Sequence, residues 1–320
     1  MPDEATNERL ISIVAPVYNE LETVSELHRR ISAALDGEDL ELILVDDGST
    51  DGTAEMLEEL AGSDPRVRPV HLSRNFGHQA AVTAGIDAAR GAAVVTMDAD
   101  LQDPPEVIPA LLEAWRNGAD VVHAVRESRA GEPRPRLAAI RFFYRVFSRL
   151  SGLRDFPGNS GDFRLIGGPA LDELKRLPEH ARFVRGLVSW VGFRQVSVAY
   201  EREARFAGSS KYPVRKLARL ALDGIVSFSA FPLRLAAFLG LIFSAVAFLA
   251  IPVIVVLRLA GLYEVPGTAS VHIIVLFVGG TQLFFLGVVG EYLARTYDEV
   301  KRRPVYIVAA PPVRPTGGEG

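Results

Sequence analysis

The chain has 320 residues, 48% hydrophobic and 23% charged, a composition that excludes both a disordered polymer and a bare bundle of membrane helices. Its formal net charge of −4 is too small to indicate nucleic-acid binding through bulk electrostatics. The absence of cysteine excludes disulfides, thiolate nucleophiles and cysteine zinc sites. The length predicts one globular domain and a smaller second unit.

Strands and helices are predicted to alternate through the amino-terminal part of the chain. Short apolar, β-branched runs indicate strands, and helical apolar spacing indicates the segments between them. The predicted strands are 10–16, 40–45, 67–72, 92–97 and 121–125, and the predicted helices are 19–35, 53–61, 79–89 and 105–118. This alternation favours a doubly wound, mostly parallel α/β sheet, whose ligands bind beyond the carboxyl ends of the strands.

Two uncharged apolar runs follow, over residues 235–257 and 271–290. Each is long enough to cross the hydrocarbon core of a bilayer, and together they predict a two-helix transmembrane hairpin. The alternative is a pair of buried core helices, which seldom need uncharged runs of this length. Cations flank the outer ends of both runs, so the positive-inside rule predicts that both ends are cytoplasmic and that residues 259–270 face outward.

Two further stretches are predicted to contact the membrane surface. Residues 126–154 hold eight arginines around an apolar stripe, which predicts an interfacial helix at about 134–152. An ordinary solvated helix packed on the domain is the alternative. Residues 211–231 are predicted to form a juxtamembrane amphipathic helix. The predicted organisation is therefore a catalytic domain over 1–210, this helix, transmembrane helices over 232–293, and a tail over 294–320 that is disordered after 304.

An acid pair follows the fourth predicted strand. Asp98 and Asp100 stand two residues apart after a hydrophobic run, and Gln102 adds a neutral oxygen. Carboxylate and amide oxygens suit a hard divalent cation such as Mg²⁺ or Mn²⁺, and a site with few protein ligands leaves positions open for diphosphate oxygens. The alternative is a solvated acidic loop that caps the helix starting near Pro105.

Polar sets also follow the first two strands. Tyr18 and Glu20 come after the first strand, and Asp47 comes after the second. Because the carboxyl ends of parallel strands meet at one edge of a sheet, these sets and the acid pair are expected to converge on one crevice. A carboxylate accepts hydrogen bonds from a base or ribose, and a tyrosine ring stacks on a base, so the crevice is predicted to bind a nucleotide.

These residues resemble family 2 glycosyltransferases with a GT-A fold, specifically the polyprenyl-phosphate branch that includes dolichol-phosphate mannose synthase and bactoprenol glucosyltransferases. Six motifs occur in the order of that family, namely 15–20 (APVYNE), 45–51 (VDDGSTD), 75–77 (NFG), 97–104 (MDADLQDP), 160–165 (SGDFRL) and 208–212 (GSSKY). Processive polysaccharide synthases of the same fold carry a Gln-x-x-Arg-Trp motif, which neither Trp115 nor Trp190 belongs to.

The resemblance implies a role for each matching residue. Nucleotide binding is implied for Pro16, Tyr18, Glu20, Asp47 and Asp98, and binding of Mg²⁺ or Mn²⁺ for Asp98, Asp100 and Gln102. Catalytic roles are implied for Asp100, Asp162 and Arg164. Binding of the acceptor phosphate is implied for Arg126, Arg141, Arg205 and Lys211.

The function that the resemblance implies is inverting, metal-dependent transfer of a hexose from a nucleotide sugar to a polyprenyl phosphate. UDP-glucose is the preferred donor and undecaprenyl phosphate the preferred acceptor, at the cytoplasmic leaflet of the plasma membrane. GDP-mannose and an aminoarabinose-type sugar remain alternative donors. A different membrane acceptor and a non-catalytic nucleotide-binding scaffold remain alternative functions. A homo-oligomer, a tetramer by resemblance, is expected, and no nucleic-acid partner.

Overall fold

The computed structural model of the chain describes residues 9–126, 160–179, 182–201, 230–261 and 268–310. Seven strands form one sheet in the order β3-β2-β1-β4-β6-β5-β7. The strands are β1 (Ile11–Val17), β2 (Leu40–Asp46), β3 (Val67–His71), β4 (Ala93–Thr96), β5 (Val121–Arg126), β6 (Ser160–Gly167) and β7 (Gln195–Tyr200).

Eight α-helices connect or follow these strands in the described ranges. They are α1 (Val24–Ala34), α2 (Thr53–Ser63), α3 (His78–Ala88), α4 (Ile108–Arg116), α5 (Gly168–Arg176), α6 (Val184–Trp190), α7 (Phe231–Leu259) and α8 (Thr268–Lys301). A 3₁₀ turn, Pro105–Val107, precedes α4. It begins with proline, a residue that suits the start of a helix because it has no N–H group to leave without a partner there.

The sheet is mostly parallel, as predicted. β1 pairs in parallel with β2 and β4, and β5 pairs in parallel with β7. β6 runs antiparallel to both β4 and β5. Neither β6 nor β7 was predicted, because the strand–helix alternation seen in the sequence ends at the fifth strand.

The sheet is buried on both faces by helices. One apolar cluster joins Ile11, Ile13 and Leu42 to helices α1, α2 and α4. The other joins Val14 and Ile43 to α3, α5 and α6. Alternate residues of each strand therefore enter opposite clusters, and both faces of the strands read as continuous apolar runs.

Helix α3 lies unusually close to the central strand β1. A Cβ added to Gly85 would lie 2.2 Å from Cγ1 of Val14, so only glycine permits this approach. The close packing sets the amino-terminal end of α3 at the carboxyl end of β1, where the polar loops gather.

The two carboxy-terminal helices are long and apolar enough to cross a membrane. None of the described residues in the apolar stretches of these two helices is buried. The alternative, a pair of buried core helices, is therefore not supported. They contact each other edge to face through Phe243 and Phe277, whose ring centroids lie 6.3 Å apart. Pro252 lies inside α7, and α8 continues to Lys301, past the segment predicted to end at residue 293.

The prediction of disorder after residue 304 is wrong for residues 304–310. This stretch returns to the sheet and forms an antiparallel bridge between Val308 and Leu72, which follows β3. The edge strand β3 offers backbone N–H and C=O groups with which this stretch pairs. The prediction of disorder relied on proline and glycine content alone and did not include this pairing. The helix predicted at 134–152, and all but the last two residues of the helix predicted at 211–231, lie outside the described residues.

Candidate nucleotide and metal site

A cavity of about 310 Å³ opens at the carboxyl ends of β1, β2 and β4. The order of the strands reverses around β1, so the loops after β1 and β4 separate and leave a crevice. The cavity is lined by Pro16, Val17, Tyr18, Glu20, Asp47, Asn75, Gly77, His78, Ala81, Asp98, Ala99 and Asp100. The structure thus brings together all five residues predicted to bind the nucleotide, and Asp100 with them.

The wall formed after β2 depends on Asp47. Its two carboxylate oxygens accept the backbone N–H groups of Phe76 at 2.7 Å and Gly77 at 2.9 Å. Gly48 adopts a φ of +73°, and a Cβ there would lie 2.6 Å from the carbonyl carbon of Arg74. Asp47 and Gly48 therefore fix the loop that follows β3 against the loop that follows β2.

The loop after β1 presents Tyr18 at the mouth of the cavity. Asn19 adopts a φ of 54°, its amide donates to Oγ of Ser49 at 3.0 Å, and its side-chain oxygen accepts the amide of Thr50 at 2.8 Å. These bonds turn the chain so that Tyr18 is 48% exposed. An exposed ring at a cavity mouth is available to stack on a base.

The acid pair lies in a turn rather than on β4, which ends at Thr96. Leu101 is buried and adopts a φ of 58°, a conformation that costs free energy in any residue with a Cβ. The turn directs Asp98 and Asp100 into the cavity. Gln102 donates its backbone N–H to Oδ1 of Asp100 at 3.2 Å, and its side chain does not line the cavity in the described structure.

Negative charge is concentrated around Asp98. Burial raises the pKa of Asp98 to about 6; His78, 3.7 Å away, opposes this shift, and Asp162, Asp103 and Asp100 add to it. A bound divalent cation would offset this repulsion, and two carboxylates at a cavity are the oxygen donors that Mg²⁺ and Mn²⁺ prefer. The residues present therefore fit the predicted metal.

Asp162 lies close to Asp98 but already has cationic partners. One oxygen each from Asp98 and Asp162 lies within 4.8 Å of a His78 nitrogen, a grouping that resembles a metal site. However, Arg185 binds Asp162 through two bonds of 2.7 and 2.8 Å, and His78 binds it at 2.9 Å. Although burial opposes them, these partners hold the pKa of Asp162 well below its usual range. These cationic partners make Asp162 a poorer candidate for a metal ligand than Asp98 and Asp100, which line the cavity.

Arg164 is an interior residue, 1% exposed, on the strand between β4 and β5. Its Nη2 donates to the carbonyl of Gly161 at 2.6 Å and lies 3.6 Å from Asp162, and burial lowers its pKa to about 10. Neither Asp162 nor Arg164 is among the residues lining the cavity. Both side chains are buried, and Asp162 reaches the cavity only through His78, so their catalytic roles stay predictions.

Arg126 is held at the end of β5. Its Nε donates to the hydroxyl of Tyr200 at 3.1 Å, and its Nη2 lies 3.4 Å from Asp103, to which Tyr200 also donates. A Cβ on Gly161 would lie 2.9 Å from Nη2 of Arg126, so glycine makes room for the guanidinium. Arg141, Arg205 and Lys211, the other residues predicted to bind the acceptor phosphate, lie outside the described residues.

Two residues of the site were missed by the sequence reasoning. His78 directly follows the 75–77 motif, and that adjacency was the available signal. Arg185 stands in α6 with no motif around it, and it reaches Asp162 only because α6 packs on the same face of the sheet as α3.

Comparison with known sequences agrees with the geometry. The sequence model of the family described as Glycosyl transferase family 2 matches residues 12–174. YkcC of Bacillus subtilis (strain 168), named an uncharacterized glycosyltransferase, is 47% identical over 93% of this chain and 92% of its own. The prophage bactoprenol glucosyl transferase homolog of Escherichia coli (strain K12) is 40% identical over 93% of this chain and 98% of its own. The bactoprenol glucosyl transferase of Shigella phage SfII is 41% identical, with 93% and 97% covered.

Comparison with solved structures supports the fold. Glucosyl-3-phosphoglycerate synthase from Mycobacterium tuberculosis, in complex with Mn²⁺, UDP and phosphoglyceric acid, superposes with a TM-score of 0.50 and 22% identity. The match covers 68% of this chain and 76% of that chain. The shared architecture is the GT-A fold.

Proposed function

This chain belongs to glycosyl transferase family 2, and we propose that it transfers a hexose from a nucleotide sugar to a polyprenyl phosphate at the membrane surface. The observation that carries the proposal is the cavity where the loops after β1, β2 and β4 bring a base-stacking tyrosine beside an acid pair. The names of the bactoprenol glucosyl transferase relatives support a polyprenyl acceptor and favour UDP-glucose as the donor.

The donor binds with its nucleoside at the mouth of the cavity and its diphosphate at the acid pair. Tyr18 stacks on the base, and Glu20 accepts hydrogen bonds from the nucleoside. Asp47 shapes the wall beside them through its bonds to Phe76 and Gly77. The sugar then lies at the open side of the cavity, where an acceptor reaches its anomeric carbon.

Asp98 and Asp100 would hold the divalent cation, Mg²⁺ or Mn²⁺, without the side chain of Gln102, which does not line the cavity. When bound, this cation neutralises the charge that develops on the departing nucleoside diphosphate. Arg185 and His78 keep Asp162 ionised and in place beneath Asp98, so the shape of the acid-rich floor does not change as substrates enter.

The acceptor phosphate attacks the anomeric carbon from the face opposite the diphosphate. A new bond forms between a phosphate oxygen and that carbon as the bond to the diphosphate breaks, which inverts the configuration. Because the phosphate is already an anion near neutral pH, no proton has to be removed and no general base is required. Arg126 holds the phosphate, since a guanidinium pairs with two of its oxygens at once.

In this proposal the reaction takes place at the cytoplasmic leaflet, and the apolar helices α7 and α8 support attachment to the membrane. Both are long enough to cross a bilayer. Arg234 stands near the start of α7, and Lys301, Arg302 and Arg303 follow at the end of α8, so cations occupy the same side of the hairpin. A water-soluble donor and a membrane-bound phosphate then meet beside the headgroups.

The direct test uses the purified full chain in detergent with undecaprenyl phosphate, Mn²⁺ and labelled UDP-glucose. We expect the label to pass into an organic phase, to be released by mild acid, and to stay in water when EDTA replaces Mn²⁺. Parallel reactions with GDP-mannose and dolichyl phosphate test the choice of donor and acceptor.

The alternatives give different results in the same assay. A non-catalytic nucleotide-binding scaffold would leave the label in water with every donor. Transfer from GDP-mannose alone would contradict UDP-glucose but keep the reaction class. Organic-phase label that forms without any polyprenyl phosphate would indicate another membrane acceptor.

A further inference from the structure

The carboxy-terminal segment 304–310, after α8, pairs with the catalytic sheet. The amide of Ser73 donates to the carbonyl of Ile307 at 2.8 Å, and the amide of Ala309 donates to the carbonyl of His71 at 2.8 Å. Leu72 and Val308 face each other between these two bonds as an antiparallel bridge. The segment therefore occupies the free edge at the end of β3.

A side chain fastens the same segment to α3. The hydroxyl of Tyr306 donates to Oδ2 of Asp87 at 3.0 Å, and its ring packs against the apolar cluster beneath α3. Burial and the neighbouring carboxylate raise the pKa of Tyr306 to about 12, so the hydroxyl keeps its proton at neutral pH. The backbone bonds and the tyrosine bond involve two different elements of the catalytic domain.

The point of attachment adjoins the donor cavity. Residues 72–78 run directly from the paired stretch into the cavity wall, where Asn75, Gly77 and His78 line it. Asp47 binds this loop at Phe76 and Gly77, on the cavity side. Segment 304–310 binds the same loop at its other end, through Ser73. The amide of Leu72 also donates to the carbonyl of Asp46 at 2.9 Å, so the core of the domain holds both ends of the loop and segment 304–310 adds a further restraint at the first end.

We propose that segment 304–310 is a positioning element of the donor site, holding loop 72–78 in the shape that binds the nucleotide sugar. This inference rests on the proposed function for its substrate. It also links the domain to α8, because Tyr306 is only five positions after Lys301 and an extended chain of that length reaches at most about 18 Å. The end of α8 therefore lies within that distance of the attachment of Tyr306 to α3.

The test compares two truncations of the full chain. Ending the chain after Arg303 removes the whole segment, and ending it after Ala310 removes only residues 311–320. We expect the first truncation to raise the KM for UDP-glucose about tenfold, since roughly two hydrogen bonds that restrain the loop are lost. The KM for undecaprenyl phosphate should stay within about twofold. The second truncation should match the full chain in both values.

A point variant separates this effect from a loss of folding. Ala309→Pro removes the N–H that binds His71, whereas Ala310→Pro, one residue further along, leaves that bond in place. We expect Ala309→Pro to raise the donor KM severalfold and Ala310→Pro to leave it unchanged. Tyr306→Phe, which loses only the bond to Asp87, should give an intermediate rise.

Hydrogen exchange gives a readout that needs no acceptor and no turnover. The amides of Phe76 and Gly77 should exchange faster in the Arg303 truncation and in Ala309→Pro, while amides of β5 and β6 keep their protection. The inference is overturned if exchange over 72–78 stays as in the full chain, or if donor and acceptor KM rise equally. Failure of sugar transfer with faster exchange at 76 and 77 would count against the proposed function alone.

Discussion

Asp98 and Asp162 both approach Nε2 of His78, at 3.7 and 2.9 Å, yet their surroundings differ. Asp98 faces the cavity, and its pKa is raised by burial and by neighbouring carboxylates. Asp162 lies beneath it with two bonds from Arg185, and its pKa is held well below the usual range. Burial and neighbouring carboxylates therefore outweigh His78 around the first carboxylate, whereas cationic partners outweigh burial around the second.

This difference assigns the two groups to different tasks. A carboxylate with other carboxylates nearby is stabilised most by a bound metal ion, because the ion offsets the repulsion between them. A carboxylate already paired with arginine gains little and instead fixes its neighbours. We therefore propose a positioning role for Asp162, in place of the catalytic role that the motif implied.

The largest expected effect is on the acid pair that faces the cavity. Asp100→Asn and Asp98→Asn should each lower the rate of sugar transfer by about a hundredfold to a thousandfold, because charge on the departing diphosphate is no longer offset. Initial rates with saturating UDP-glucose check this expectation. Asp172→Asn, an exposed position on α5, is the matched control and should keep full activity. Near-normal rates in both cavity variants would contradict the proposed role of a metal ion at the acid pair.

The second-largest expected effect is on the stability of the fold, which should respond differently to substitution of Asp162 and of Asp98. Asp162→Asn removes the anion that Arg185 binds and that lies beside the buried Arg164, so the free energy of unfolding should fall by about 3 kcal/mol. The thermal midpoint should then fall by roughly 6 to 12 °C. Asp98→Asn should keep or raise the midpoint, since it removes a carboxylate that repels its neighbours. Equal losses in both variants would contradict the contrast between the two aspartates.

The pH dependence of stability follows from the two pKa shifts with opposite sign. A depressed pKa stabilises the fold above the unfolded value of about 4, so Asp162→Asn should cost the same at pH 7 and pH 5. A raised pKa destabilises the fold as pH rises towards 6, so any gain from Asp98→Asn should be larger at pH 7 than at pH 5. Thermal midpoints at the two pH values test both signs.

Metal affinity should also depend on pH through Asp98. Below about pH 6 its carboxyl holds a proton that a cation must displace, so the Mn²⁺ needed for half-maximal transfer should rise about tenfold per pH unit. Above pH 7 the requirement should be flat. A Mn²⁺ requirement that does not change between pH 7 and pH 5 would place the cation elsewhere.

The smallest expected effect concerns the acceptor side. Tyr200→Phe removes one hydroxyl that holds Arg126, so the KM for undecaprenyl phosphate should rise severalfold while the KM for UDP-glucose stays the same. Arg126→Lys should have a larger effect of the same kind, because an ammonium cannot pair with two phosphate oxygens. Equal changes in both KM values would count against an acceptor role for Arg126.

Much of the donor side of the site was predictable because its polar side chains directly follow the ends of strands. Pro16, Tyr18, Asp47, Asp98 and Asp100 follow apolar runs that pattern alone identifies, and parallel pairing brings such ends to one edge. The surroundings of Asp162 and Arg164 were not predictable, since their motif says nothing about which helix packs over their side of β6. The contact of Arg185 with Asp162 depends on helix packing and has no local signature.

The mostly parallel sheet, the convergence of three polar loops and the two apolar helices could be predicted from the sequence, because periodicity and composition report directly on local structure. The folded chain was needed to show which aspartate faces the cavity, which one Arg185 binds, and that residues 304–310 pair with the edge of β3. Those outcomes depend on long-range contacts, whose burial and charge balance exist only after the chain has folded.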